Sequence, residues 1–73
     1  MFYFKKVFMN YLEYSERLNR IVELAKLKST GTPKELAYKL GISERTLYRM
    51  ISTLKNQDHS INYSNYYRSY YLK

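Results

Sequence analysis

The chain has 73 residues and a formal charge of +7. A chain of this length forms one small domain that buries only about 60% of its unfolded surface, which argues against a large catalytic cleft. There is no cysteine and one histidine, so disulfides, thiolate zinc sites and cysteine nucleophiles are excluded, and we expect no metal or cofactor. The excess of 13 Lys and Arg over 6 Asp and Glu indicates an anionic partner, either nucleic acid or an acidic membrane.

The positive charge is concentrated in the last two thirds of the chain. Residues 10–25 hold three acids against two arginines, whereas residues 26–73 hold nine Lys or Arg against three acids. No stretch approaches the roughly 20 apolar residues needed to span a bilayer. Lys5 and Lys6 interrupt the N-terminal apolar run, which therefore does not resemble a signal peptide. We expect a cytoplasmic protein without membrane contacts.

The first predicted helix covers about residues 11–28. Asn10 can cap it, with Glu13 at the third helical position, and Met9 and Tyr14 occupy the two positions of a hydrophobic staple. The apolar residues that follow are spaced along one helical face. They are Tyr14, Leu18, Ile21, Val22 and Ala25.

Two shorter helices are predicted at residues 33–40 and about 44–55. Thr32 can cap the first of them, with Pro33 at its first position and Glu35 completing a capping box. Gly41 is a natural left-handed stop, and Ser43 can cap the next helix. The inner stripe of that last helix has the spacing i, i+3, i+4, i+7. It consists of Leu47, Met50, Ile51 and Leu54.

The C-terminal segment has the pattern of a β-hairpin, with strands at about 61–64 and 69–72. A turn over residues 65–68 places Ser64 opposite Ser69. The apolar residues then share one side of the ribbon. An isolated hairpin is marginally stable, so this one must pack on the helices. The predicted fold is mostly α with a small β-hairpin.

The outer face of the third helix is polar and basic. Arg45, Tyr48, Arg49 and Ser52 recur at the spacing i, i+3, i+4, i+7, and their side chains suit base edges and phosphates. Around this face, residues 33–51 resemble the helix-turn-helix superfamily. The residues that carry the resemblance are the small Ala37, the turn Gly41, and the apolar Leu36, Leu40, Ile42, Leu47 and Met50.

With the hairpin included, residues 10–73 resemble a winged helix-turn-helix domain, most closely the DeoR-like type found in bacterial transcriptional regulators. The resemblance adds a short strand at Thr30–Thr32 and implies that the helix starting after Ser43 enters the major groove of double-stranded DNA. The implied function is sequence-specific DNA binding by a small transcriptional regulator. The implied base-reading residues are Ser43, Glu44, Arg45, Tyr48, Arg49 and Ser52.

The resemblance also implies contacts to the DNA backbone. The start of the second helix, with Thr32, Lys34 and its free amides, would hold a phosphate, and Lys39 and Lys55 would add further contacts. The wing residues are expected to lie along the backbone or to place an arginine in the minor groove. They are Asn65, Tyr66, Tyr67 and Arg68.

Two other functions remain open from the sequence. One is a winged-helix protein-interaction module whose basic face meets an acidic partner. The other is binding of single-stranded nucleic acid through the tyrosine-rich wing, in which Tyr66, Tyr67 and Tyr71 are the exposed candidates. The chain contains neither a catalytic triad pattern nor a phosphate-cradling glycine motif. We therefore expect no enzyme activity and no catalytic residue.

Residues 1–9 form an apolar N-terminal extension with two alternative roles. Phe2, Phe4, Val7 and Phe8 either pack over the first helix and the wing, or form a dimer contact that presents two DNA-binding helices to neighbouring half-sites. The expected partners are therefore double-stranded DNA and either a second copy or a larger regulatory protein.

Overall fold

The computed structural model describes residues 11–73. It contains three helices, α1 (Tyr11–Lys26), α2 (Pro33–Leu40) and α3 (Glu44–Asn56), and then an antiparallel hairpin of β1 (Ile61–Ser64) and β2 (Ser69–Leu72). The predicted fold class, mostly helical with a small hairpin, is confirmed. The predicted cap Asn10, the staple residue Met9 and the extension at residues 1–9 lie outside the described residues.

Helix α1 ends at Lys26, two residues before the predicted end. Lys28 adopts the left-handed conformation, with φ 53°, and its amide donates to the carbonyl of Ala25 at 3.0 Å. The Ser29 amide donates to the carbonyl of Leu24 at 2.9 Å. These bonds close the helix in the manner of a Schellman motif. A lysine stands where glycine is usual, so the sequence has no glycine to mark this end.

The predicted caps of α2 and α3 are confirmed. The Thr32 hydroxyl accepts from the Glu35 amide at 3.2 Å, and the Glu35 carboxylate accepts from the Thr32 amide at 2.9 Å. Gly41 ends α2 with φ 70°, a conformation that costs glycine little. Ser43 caps α3 by accepting from the Thr46 amide at 3.1 Å. Local hydrogen bonds therefore hold α2 and α3 in tight succession.

The hairpin has the predicted register. Ile61 pairs with Leu72, Tyr63 with Tyr70, and Ser64 with Ser69. The rings of Tyr63 and Tyr70 meet edge to face, with centroids 5.2 Å apart. In the turn, the Ser64 hydroxyl accepts from the Tyr67 amide at 3.2 Å. The alternation of side chains therefore places Ile61 and Tyr70 in the core, as predicted.

The short strand predicted at Thr30–Thr32 is wrong: within residues 11–73 the structure has strands only at β1 and β2. The Thr30 hydroxyl instead accepts from the Tyr70 amide at 2.8 Å, and the Thr30 amide donates to the Ser69 hydroxyl at 3.0 Å. Gly31, at φ 80°, then turns the chain out of the extended conformation. Side-chain oxygens therefore make the link to β2 that backbone carbonyls would make in a ladder.

The hydrophobic core lies between the three helices and the inner side of the hairpin. The inner stripe predicted for α3 is buried, and so are the inner residues of α2. Tyr14 and Val22 of α1 pack against the core from its edge. The buried apolar residues are Leu18, Ile21, Ala25, Leu36, Ala37, Leu40, Leu47, Met50, Ile51, Leu54, Ile61 and Tyr70.

Candidate nucleic-acid interface

The outer face of α3 carries four predicted base-reading residues together. Arg45, Tyr48, Arg49 and Ser52 are all exposed, while the opposite face of the helix is buried in the core. At 1.5 Å per residue the face extends about 10 Å along the helix, which matches about three base-pair steps. The face can therefore meet a ligand without any change in the packing of α3.

The other two predicted base-reading residues lie at the start of α3. The Ser43 hydroxyl caps the helix and also donates to the Thr46 hydroxyl at 3.1 Å. Glu44 is exposed in the first turn, where a negative charge interacts favourably with the helix dipole. Ser43 thus has the capping role that the sequence predicts, and Glu44 beside it has a local role at the start of the helix.

The start of α2 differs from the phosphate cradle that the sequence suggested. Pro33 has no amide hydrogen, and the amides of Thr32, Glu35 and Leu36 donate within the chain. The hydrogen bond from the Thr32 amide is the main cause that lowers the pKa of the Glu35 carboxyl. The Glu35 carboxylate therefore uses the Thr32 amide, and the exposed Lys34 ammonium is a group at this site that suits an anion.

The two remaining predicted backbone contacts have different surroundings. The Lys39 ammonium donates to the carbonyls of Ser29 and Thr30, both at 3.2 Å, and so ties α2 to the loop before it. Lys55 is exposed in the last turn of α3, where its charge complements the negative end of the helix dipole. Lys39 is thus engaged within the protein, and Lys55 is accessible to a ligand.

The wing turn is an exposed aromatic and basic tip. Asn65 and Arg68 are exposed, and the rings of Tyr66 and Tyr67 meet edge to face with centroids 5.1 Å apart. The ammonium of Lys28 lies over the Tyr67 ring, 5.1 Å from its centroid, within the range of a cation–π contact. Lys28 was not among the predicted site residues, because its only sequence signal is a positive charge at the predicted end of the first helix.

Two side chains near the hairpin have shifted pKa values. The pKa of Tyr70 rises to about 12, mainly because burial disfavours the phenolate, and the charges of Tyr48, Tyr63 and Glu44 raise it further. On the other side, the charges of Lys39 and Arg68 help to lower the pKa of Glu35. Tyr70 therefore stays neutral at ordinary pH, and Arg68 is the hairpin charge that acts on α2.

A comparison with protein-family models agrees with this geometry. A model described as a helix-turn-helix (HTH) domain matches residues 17–65, more than half of the chain. The chain belongs to this helix-turn-helix family. The match begins within α1, includes α2 and α3, and ends in the wing turn. Searches of curated proteins and of solved structures gave no match.

Membership of the helix-turn-helix family supports DNA binding. In a helix-turn-helix pair, the second helix contacts base edges and the first crosses the DNA backbone. These helices correspond to α3 and α2, and the β1–β2 hairpin fits the position of a wing. None of the helices within residues 11–73 is long and apolar enough to cross a membrane.

Proposed function

We propose that this helix-turn-helix protein binds double-stranded DNA sequence-specifically, with α3 in the major groove, as a small bacterial transcriptional regulator of the DeoR-like type in the cytoplasm. The observation that carries the proposal is the two-sided character of α3. Its outer face exposes two arginines, a tyrosine and a serine, while its inner face completes the core.

The side chains on this face have defined roles in the proposal. Arg45 or Arg49 makes the bidentate contact to guanine that the planar guanidinium allows, worth about 1–3 kcal/mol of discrimination. Tyr48 and Ser52 donate or accept single hydrogen bonds at neighbouring base edges. Ser43 and Glu44 keep the start of α3 formed, and they reach bases only where the cap geometry permits.

The backbone contacts in the proposal come from exposed cations around α3. Lys34 at the start of α2 and Lys55 at the end of α3 neutralise phosphates. At the wing, Arg68 and Lys28 do the same or enter the minor groove, with the exposed Asn65, Tyr66 and Tyr67 beside them. Thr32 and the exposed Lys39 add backbone contacts beside them, although both also hold hydrogen bonds inside the protein.

The arrangement of the tyrosines favours duplex over single-stranded nucleic acid. Tyr70 is buried and Tyr63 is half-buried, and their rings meet each other at 71°. The exposed pair Tyr66 and Tyr67 is also edge to face, at 82°. Bases stack on aromatic faces, whereas in each of these pairs the edge of one ring lies against the face of the other.

A DNA titration tests the proposal. The full chain is titrated against a random duplex library at several salt concentrations, and the selected duplex is then measured with Arg45→Ala and Arg49→Ala. Arg20→Ala is the matched control, because Arg20 is an exposed arginine on α1. We expect affinity to fall steeply with salt, and at least one α3 variant to lose about 5- to 150-fold on the selected duplex but much less on unrelated duplexes.

Two outcomes would refute this function. Absence of duplex binding even at low salt would favour the protein-interaction alternative, in which the same basic face meets an acidic partner. Tighter binding to single strands than to duplexes would favour the tyrosine-rich wing as the site.

A single module of this size covers only about 600–1,000 Å² on DNA, so tight binding requires a second copy or a larger regulatory partner.

A further inference from the structure

The segment that ends α1 contacts the turn of the hairpin through the side chain of Lys28. The Lys28 ammonium lies 5.1 Å from the centroid of the Tyr67 ring, where the ring quadrupole attracts a cation. Tyr67 is 51% exposed, whereas its neighbour Tyr66 is 88% exposed. Tyr67 is therefore the tyrosine of this pair that lies against the rest of the molecule, and its contact with Lys28 joins the wing turn to the helices.

The backbone conformation of Lys28 disfavours a side chain at this position. Its φ of 53° is left-handed, a conformation that costs free energy in most residues other than glycine. The hydrogen bonds that end α1 use the amides of Lys28 and Ser29, so glycine would form the same bonds. Backbone strain of this kind often marks a functional residue. What lysine adds at this position is its side chain, and that side chain contacts Tyr67.

The contact gives the wing turn, residues 65–68, a second point of attachment. Hydrogen bonds from Thr30 attach the first two residues of β2, which follow the turn. The pair of Lys28 and Tyr67 attaches the turn itself. Two points fix the direction of the turn, whereas one would allow the turn to pivot. The exposed Arg68 follows Tyr67 in the chain, so its position depends on that direction.

We propose that Lys28 is a positioning residue for DNA binding: its ammonium holds Tyr67, and with it the wing turn, in the place from which Arg68 meets the DNA. This role rests on the proposed DNA binding. It differs from a phosphate contact by Lys28 itself, because Lys28 acts through Tyr67. A turn that is already held loses less freedom on binding, so a larger fraction of the protein is ready to bind.

A double-mutant cycle on the selected duplex tests this role. Affinity at one salt concentration is measured for the wild type, Lys28→Gln, Tyr67→Leu and the double variant. A cation–π contact at an exposed site changes the held fraction of the turn by about 2- to 5-fold. Lys28→Gln should therefore weaken binding about 2- to 5-fold more in the wild type than in the Tyr67→Leu background. Lys28→Arg, which keeps a cation over the ring, should restore most of the affinity that Lys28→Gln loses.

Lys26→Gln is the matched control. Lys26 is exposed in the last turn of α1, so the substitution removes the same charge near the same end of the helix. Its cycle with Tyr67→Leu should be additive. In the free protein, the ring current of Tyr67 should move the proton resonances of the Lys28 ε-methylene group to lower chemical shift. Tyr67→Leu should abolish this displacement.

The outcomes separate the positioning role from DNA binding. An additive cycle of Lys28 with Tyr67, on a duplex that the wild type binds, would overturn the positioning role and leave the proposed function in place. Equal coupling of Lys26 with Tyr67 would do the same. Lys28 ε-methylene resonances that are not displaced would overturn it whatever the duplex result, because the contact would be absent in solution. A wild type that binds no duplex would refute the proposed function and this role together.

Discussion

Replacement of Thr30 by valine tests whether two side chains attach the hairpin to the helices. Valine has nearly the same shape as threonine, so the substitution removes the hydroxyl without leaving a cavity. The amide of Tyr70, which now donates to that hydroxyl at 2.8 Å, would lose its acceptor. The Thr30 hydroxyl also lies 3.0 Å from the Ser69 hydroxyl and donates to the Gly31 carbonyl at 2.9 Å. Both of these groups would lose that partner.

The expected loss follows from the burial of these groups. Thr30 and Ser69 are fully buried and Tyr70 is almost so. An unsatisfied buried donor costs about 1–3 kcal/mol, and the loss of a second hydrogen bond adds about 1 kcal/mol. The free energy of unfolding should therefore fall by about 2–4 kcal/mol. For a domain of this size each 1 kcal/mol lowers Tm by about 4–8 °C, so Tm should fall by at least about 8 °C.

Thr53→Val is the matched control for this experiment. The Thr53 hydroxyl donates to the Arg49 carbonyl at 3.1 Å and lies 3.1 Å from the Tyr14 hydroxyl. Water can replace both contacts because Thr53 and Tyr14 are only half-buried. We expect a loss of less than about 1 kcal/mol. Both variants are compared by thermal unfolding followed by circular dichroism. If Thr30→Val destabilised the protein no more than Thr53→Val, the hydroxyl network would not be what holds the hairpin in place.

Two further predictions concern the glycines and the buried tyrosine. Gly41→Ala should cost about 1–2 kcal/mol through its left-handed backbone alone, because a Cβ there has no atom within 4 Å. Gly31→Ala should cost more, since its Cβ would lie 2.6 Å from the Glu35 carboxylate and disturb the capping box. Equal melting temperatures of the Gly31→Ala and Gly41→Ala variants would contradict this expectation. The folded state raises the pKa of Tyr70 from 10.0 to about 12. The contribution of the protonated Tyr70 phenol to the free energy of unfolding is therefore complete below pH 10 and is lost as the pH rises towards about 12. Urea unfolding between pH 10 and about 12 should therefore show a falling free energy of unfolding. Tyr70→Phe should reduce this pH dependence, whereas Tyr38→Phe, at an exposed position, should leave it unchanged.

The parts of the fold that were predictable depend on contacts close in sequence. The capping box of α2 uses Thr32 and Glu35, three positions apart, and the α3 cap uses Ser43 and Thr46 in the same way. The register of the hairpin follows from strict alternation around a four-residue turn. These motifs are visible in the sequence because each element satisfies its own backbone groups.

The parts that were missed depend on contacts between distant residues. Thr30 meets Ser69 and Tyr70 across separations of 39 and 40 positions, and no local pattern indicates that hydroxyls will replace a strand. The contact of Lys28 with Tyr67 is of the same kind. For the candidate site, helical spacing identified the exposed face of α3. It could not show that the Lys39 ammonium already has partners inside the protein.

The uneven distribution of charge within residues 11–73 makes this part of the chain an electric dipole. Helix α1 is neutral as a whole, whereas residues 27–73 hold eight Lys or Arg against three acids. In the field of a polyanion such a body experiences a torque that turns its positive side forward during approach, before any contact forms. This orientation increases the fraction of productive collisions. The orienting torque weakens once the Debye length, which is about 10 Å at 0.1 M salt, is shorter than the width of the domain. Salt should therefore slow association by this domain more than it speeds dissociation.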